Sequence, residues 1–104
     1  MVKFQFRIGK AFLDYPWHPI TIPKKHYKRL EQEELSVNSV SINSPFGATN
    51  GSIFYGQAGY GAYYQIKMDG GFTHDPMNEF KLGQIITVEM ERVGNLLSIT
   101  LAFQ

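Results

Sequence analysis

From Ile86 to Phe103 the chain alternates apolar and polar residues with a period of two. Ile86, Val88 and Met90 stand between Thr87, Glu89 and Glu91; Gly94-Asn95 then turns the chain, and Leu97, Ile99, Leu101 and Phe103 return. A helix would repeat its apolar positions every three to four residues, so this stretch is a β-hairpin with one buried face. The same period opens the chain, where Phe4, Phe6 and Ile8 alternate with Lys3, Gln5 and Arg7.

Between these strands the pattern is more broken. From Gly9 to Pro19 it lapses into a loop carrying large side chains, in which Pro16 and Pro19 deny a regular ladder. Ile20 and Ile22 make a short strand. Pro23 suits the first position of a helix of about three turns. Tyr27 and Leu30 would face the core from that helix, which ends near Glu31-Gln32-Glu33-Glu34, with Leu35 beneath it. Strands follow at Val40 to Ile42, Ile53 to Gln57 and Tyr63 to Met68, with Asn50-Gly51 as the hairpin turn between the first two. Gly70-Gly71 and Asp75-Pro76 mark a loop. Eight Phe and six Tyr in 104 residues favour strands over long helices. The expectation is a mainly β domain spanning 1–104: a seven-stranded open pseudobarrel with one or two short helices, curled so as to remove exposed edges. Phe4, Phe6, Ile8, Tyr27, Leu30, Ile86, Val88, Leu97, Ile99 and Leu101 should share its core.

Charge is divided unevenly along the chain. Residues 1–30 hold seven Lys and Arg against Asp14 alone, net +6, whereas residues 31–104 hold three against eight acids, net −5. The overall +1 thus conceals a dipole whose basic pole attracts a polyanion, with nucleic acid the leading partner. No apolar stretch approaches membrane-spanning length, and the start is a strand pattern in place of a signal peptide. The absence of cysteine removes disulfides and thiolate chemistry and fits a reducing cytoplasm. His18, His26 and His74 lack close metal-ligand spacing, so neither a metal nor a cofactor is expected. Glu89 and Glu91 fall on a strand's solvent face. These and the other carboxylates, Asp69, Asp75 and Glu79, are expected to form no nuclease centre.

The order of parts carries a resemblance. Ile20-Thr21-Ile22-Pro23-Lys24-Lys25-His26 leads into a short helix ending at Leu30, aromatic strands flank a Gly-rich loop, and Leu82-Gly83-Gln84-Ile85-Ile86-Thr87-Val88 opens the closing hairpin. This resembles the plant B-three DNA-binding domain and its bacterial relatives, the EcoRII-type recognition domains of restriction endonucleases, over nearly the whole chain. The resemblance implies a pseudobarrel gripping the major groove of double-stranded DNA between two jaws. Carried over by position, the first jaw is the loop from Lys10 to Pro19, with Asp14, Tyr15, Trp17 and His18, together with Lys24 and Lys25. The second is Gly56 to Tyr63, with Gln57, Ala58, Gly59, Tyr60 and Tyr63. Plant members usually have more basic residues in the second jaw, and here it has none.

Lys24 and Lys25, at a helix start, suit a phosphate; the ordinary alternative is a solvated helix face. Gln57 can pair with adenine's major-groove edge for roughly 1–3 kcal/mol of discrimination. The glycines around it either let backbone approach DNA or only turn a hairpin. Tyr15, Trp17 and His18 can reach phosphates or bases, although a lone Trp between prolines more often seals a barrel end, the reading preferred for Trp17. Tyr55 and Tyr64 are expected in the core.

The resemblance implies the N-terminal target-recognition module of a prokaryotic, cytoplasmic restriction system. It would have no catalysis of its own, and a nuclease or motor would lie in another domain or subunit. One rival is a methylcytosine reader that holds a flipped base among Tyr15, Trp17 and Tyr60. Another is a carbohydrate- or protein-binding β-domain whose tyrosines form the contact surface.

Overall fold

The structure, a computed structural model, describes residues 2–32, 40–45, 47–69, 80–94 and 96–104. Its elements are β1 (Val2–Arg7), α1 (Lys10–Asp14), β2 (Ile20–Thr21), a 3-10 turn (Lys24–His26), α2 (Tyr27–Gln32), β3 (Val40–Ser44), β4 (Gly47–Ala58), β5 (Gly61–Met68), β6 (Ile85–Val93) and β7 (Leu96–Phe103). The strands form one seven-stranded sheet in the order β1-β6-β7-β3-β4-β5-β2. All neighbours are antiparallel except β3 and β7, which run parallel. The sheet curls into a nearly closed barrel with short helices. Its seam lies between the terminal strands β1 and β2, where the His26 ring packs 5.8 Å from that of Phe4.

Alternation drives the curl, because every strand must turn its apolar side chains to one interior. Phe4, Ile8, Ile20, Ile42, Ile66, Ile86, Val88, Met90, Leu97, Ile99 and Leu101 are buried in a single cluster, with Phe6 and Tyr27 half-buried against it. The expected core is thus recovered, save that the Leu30 side chain lies outside the described residues. So do Glu33, Glu34 and Leu35, and the Gly70-Gly71 and Asp75-Pro76 loop.

Four local expectations are corrected. Asn50-Gly51 is not a turn: both residues lie within the twelve-residue β4, and the chain reverses instead just before Gly47, whose φ is +130°. Gly51 is needed for close approach, since a Cβ there would stand 2.7 Å from Ile42 Cδ1 and against the Lys67 carbonyl. Asn-Gly suits a tight turn, but here the close neighbour strands claim the glycine. Pro23 precedes the 3-10 turn in extended conformation (ψ 141°) and does not occupy its first position. Within the supposed loop, Lys10–Asp14 is helical. Lys, Ala and Leu are good helix formers, and Tyr15 ends the helix because the residue before a proline is pushed to extended backbone. Tyr55, expected in the core, is 47% exposed, whereas Tyr64 is buried.

Candidate nucleic-acid interface

The β4–β5 ladder sorts the side chains of the Gly-rich segment onto two faces. Ile53, Tyr55 and Gln57 pair with Ile66, Tyr64 and Ala62 on the face that continues the core. Ser52, Phe54, Gly56 and Ala58 pair with Lys67, Gln65, Tyr63 and Gly61 on the outer face. β2 extends that outer face, because Thr21 pairs with Gln65. Gly56 is required here: a Cβ would meet Tyr63 Oη at 2.6 Å, so the tyrosine lies across the glycine. Gly59 and Tyr60 form the tip of the hairpin, and Gly61 takes φ +122°. The segment is therefore a β-hairpin in register up to Ala58–Gly61, with the glycines serving the turn and the Tyr63 cover.

At one end of this outer face stand Tyr15 and Trp17, with ring centroids 5.0 Å apart and planes within 8° of parallel. Trp17 is anchored through its backbone, since Met68 N–H donates to the Trp17 carbonyl at 2.7 Å. Its side chain does not seal the barrel as expected; it is 39% exposed, and Phe12 from α1 fills the interior against Phe80 at 5.3 Å instead. Lys67 Nζ lies 3.8 Å from the Phe54 ring centroid and 5.5 Å from that of Trp17. At the other end Tyr60, 70% exposed, approaches Tyr63 at 6.3 Å, and Lys24 Nζ stands 6.0 Å from the Tyr60 ring. Cations thus rest against aromatic faces at both ends, attracted by the ring quadrupoles. No carboxylate occupies an outward position of β2, β4 or β5.

The structure separates other residues that the sequence grouped. His18 is buried: its Nδ1–H donates to the Phe12 carbonyl at 2.6 Å and its φ is +41°. It locks the first projecting segment onto α1 and is not exposed for DNA. Lys10 and Asp14 are exposed at the two ends of α1. Lys24 and Lys25 diverge, because Lys25 lines a cavity of about 460 Å³ at the seam with Lys3, Phe4, Gln5, Pro23 and Thr87. Beside it, His26 Nε2 is buried without a partner among the described residues. Burial, then the Lys25 and Arg29 charges, push the His26 pKa below its ordinary value. Among the described residues Gln57 Nε2 donates to Tyr55 Oη, at 3.4 Å.

Sequence reasoning missed Thr21, Phe54, Gln65 and Lys67. Tyr63, Gln65 and Lys67 alternate with buried Tyr64, Ile66 and Met68, but only the register shows that they share a face with the two projecting segments. Glu79 and Lys81 also have the acid–x–lysine spacing of restriction-nuclease cores, which the expectation of no nuclease centre overlooked. Phe80 between them is buried and Lys81 is exposed, while Glu79 lies outside the described residues. Among the described residues no three His, Asp or Glu gather to hold a metal ion, and no helix is long and apolar enough to cross a membrane.

No family model and no curated protein matches the sequence. Among solved structures the chain is similar to one from an Arabidopsis FUS3–DNA complex, with a TM-score of 0.54 and 13% identity over 94% of this chain and 93% of that one. At that identity the likeness establishes the fold. It overturns the expectation of a prokaryotic cytoplasmic protein, since the matching barrel belongs to a plant; the pseudobarrel shared with the plant B-three domain stands.

Proposed function

We propose that this barrel binds double-stranded DNA sequence-specifically, gripping the major groove between the segment Lys10–Pro19 with Lys24 and the β4–β5 hairpin tip. The observation that carries this reading is the outer face of β2, β5 and β4. It is framed by exposed aromatic and cationic groups at both ends and has no carboxylate at its outward positions. Tyr63 and Lys67 stand four residues apart on β5, about 13 Å at ~3.3 Å per residue. That span compares with the roughly 12 Å width of the B-DNA major groove. The DNA complex of the structurally similar plant chain supports the same reading.

On this reading Lys24 and Lys67 contact phosphates, and Tyr60 and neighbouring backbone lie near the bases. The protein is a recognition module without a catalytic centre of its own. In a restriction system it would direct a nuclease or motor carried by another domain or subunit, but DNA binding by the barrel does not depend on such an assembly. Tyr15 and Trp17 already stack on each other, with ring centroids 5.0 Å apart, so no base lies between them in this arrangement.

Selection from a random duplex library, followed by a salt titration on the winners, tests the proposal. A preferred site and an affinity that falls steeply with salt are expected. Salt-insensitive binding, or none, would transfer the aromatic face to a carbohydrate or protein ligand. A gain on methylated winners would restore the modified-base reading.

A further inference from the structure

We infer that Gln65, braced by Thr21, is the side chain that reads a base edge, and that adenine is the base it fits. This inference rests on the proposal of duplex DNA binding and names the reader within that face. Gln65 lies in the middle of the outer face, paired with Phe54 on β4 and with Thr21 on β2, two residues from Tyr63 and two from Lys67. The aromatic and cationic groups that frame the face are thus on either side of it.

The chemistry of the amide decides the base. A glutamine carboxamide has two N–H donors and one carbonyl acceptor. Gln65 Nε2 donates to Thr21 Oγ1 at 3.3 Å. A bond made through the hydrogen trans to Oε1 leaves the cis N–H beside Oε1, a donor and an acceptor side by side. Adenine presents the complement in the major groove, with N7 accepting and the N6 amino group donating. The threonine bond also holds a flexible side chain in place before DNA arrives, so less ordering remains to oppose binding. Gln57 lacks this placement: it lies on the opposite face of the hairpin, in register with Ala62, and turns its amide toward Tyr55.

The test compares Gln65→Ala, Gln65→Glu, Thr21→Val and Gln57→Ala with the unaltered protein at one salt concentration. The probes are the selected duplex, a random duplex, and the selected duplex carrying 7-deazaadenine at each adenine in turn. Loss of N7 at one position should weaken the unaltered protein and leave Gln65→Ala indifferent. Gln65→Ala should lose roughly 5- to 150-fold on the selected duplex and little on random DNA, the equivalent of one bidentate base contact. Gln65→Glu, which can only accept, should shift the preference at that position from adenine toward cytosine. Thr21→Val should lose a smaller part of the same discrimination. An unchanged preference in both Gln65 variants, or equal losses on selected and random duplexes, overturns the inference. If Gln57→Ala alone relaxes the preference, the inference falls while the DNA-binding proposal stands. If the unaltered protein binds no duplex, both fall.

Discussion

The two flanks of the barrel have the same pleat and opposite outer chemistry. Inside, Ile66 on β5 and Ile99 on β7 are equally inaccessible members of one core. Outside, β2, β5 and β4 present Thr21, Gln65, Lys67, Phe54 and Tyr63, while β6 presents Thr87, Glu89 and Glu91 beside Lys3 and Gln5 of β1. On that second flank Glu89 binds Lys3 at 3.3 Å, so the Lys3 cation is already paired with a carboxylate. On the first flank Lys67 and Lys24 rest against aromatic rings. An aromatic face positions a cation without neutralising it, so the charge stays available to an incoming anion. Inner faces are therefore interchangeable, and the outer positions decide which flank meets a polyanion.

The largest expected effect would break the claim that both flanks share one core. Ile66→Ala and Ile99→Ala should each cost about 2–5 kcal/mol, read as a lower urea midpoint with unchanged slope. A cost below about 1 kcal/mol for either would mean that its flank contributes no common interior.

Next come the cations. Lys24→Ala should weaken binding to all duplexes alike and make the salt slope shallower by about one. Lys3→Ala on the other flank should leave the slope near its original value, and its exposed ion pair is worth at most about 1 kcal/mol of stability. Equal slopes in the two variants would erase the distinction between the flanks.

Smaller again is the aromatic end. Trp17→Ala should reduce duplex affinity while costing only about 1 kcal/mol of stability, because its ring is partly exposed and stacks chiefly on Tyr15. Leu96→Ala, at a more exposed position at the end of β7, should alter neither quantity. A large fall in melting temperature for Trp17→Ala would make the tryptophan a structural element.

The smallest effect is one of pH, and it belongs to the seam between the flanks. Because the folded His26 pKa lies below its ordinary 6.5, the unfolded chain binds the proton more readily. This contribution to stability is complete above pH 6.5 and is lost as the pH falls toward the lowered folded value. His26→Gln should flatten the melting temperature between pH 7 and 5. An unchanged slope would show that other groups set the acid dependence.

Much of this was legible in the chain. Alternation at Phe4 to Ile8 and Ile86 to Phe103 determined the strands and their buried faces, because a period of two has one solution. The uneven charge along the sequence pointed to a polyanion for an equally local reason. The candidate site was less legible. Gln57 and Gln65 are both polar residues beside aromatics, and nothing local distinguishes them. Register does: a ladder closing at Ala58–Gly61 puts Gln57 on the face opposite Gln65, and Gln65 beside Thr21, more than forty residues away in the chain. Gly51 and His18 show the same limit. An Asn-Gly pair suits a turn and a histidine between prolines suits a surface loop, until neighbouring strands claim the glycine and the Phe12 carbonyl claims the ring. Local pattern was enough to say which residues of β1, β6 and β7 must be inside and that charge would be divided unevenly along the chain. Which polar residues share a face was settled by the folded barrel, because that depends on pairing between strands distant in the chain, and a shift of one residue would have exchanged the two faces.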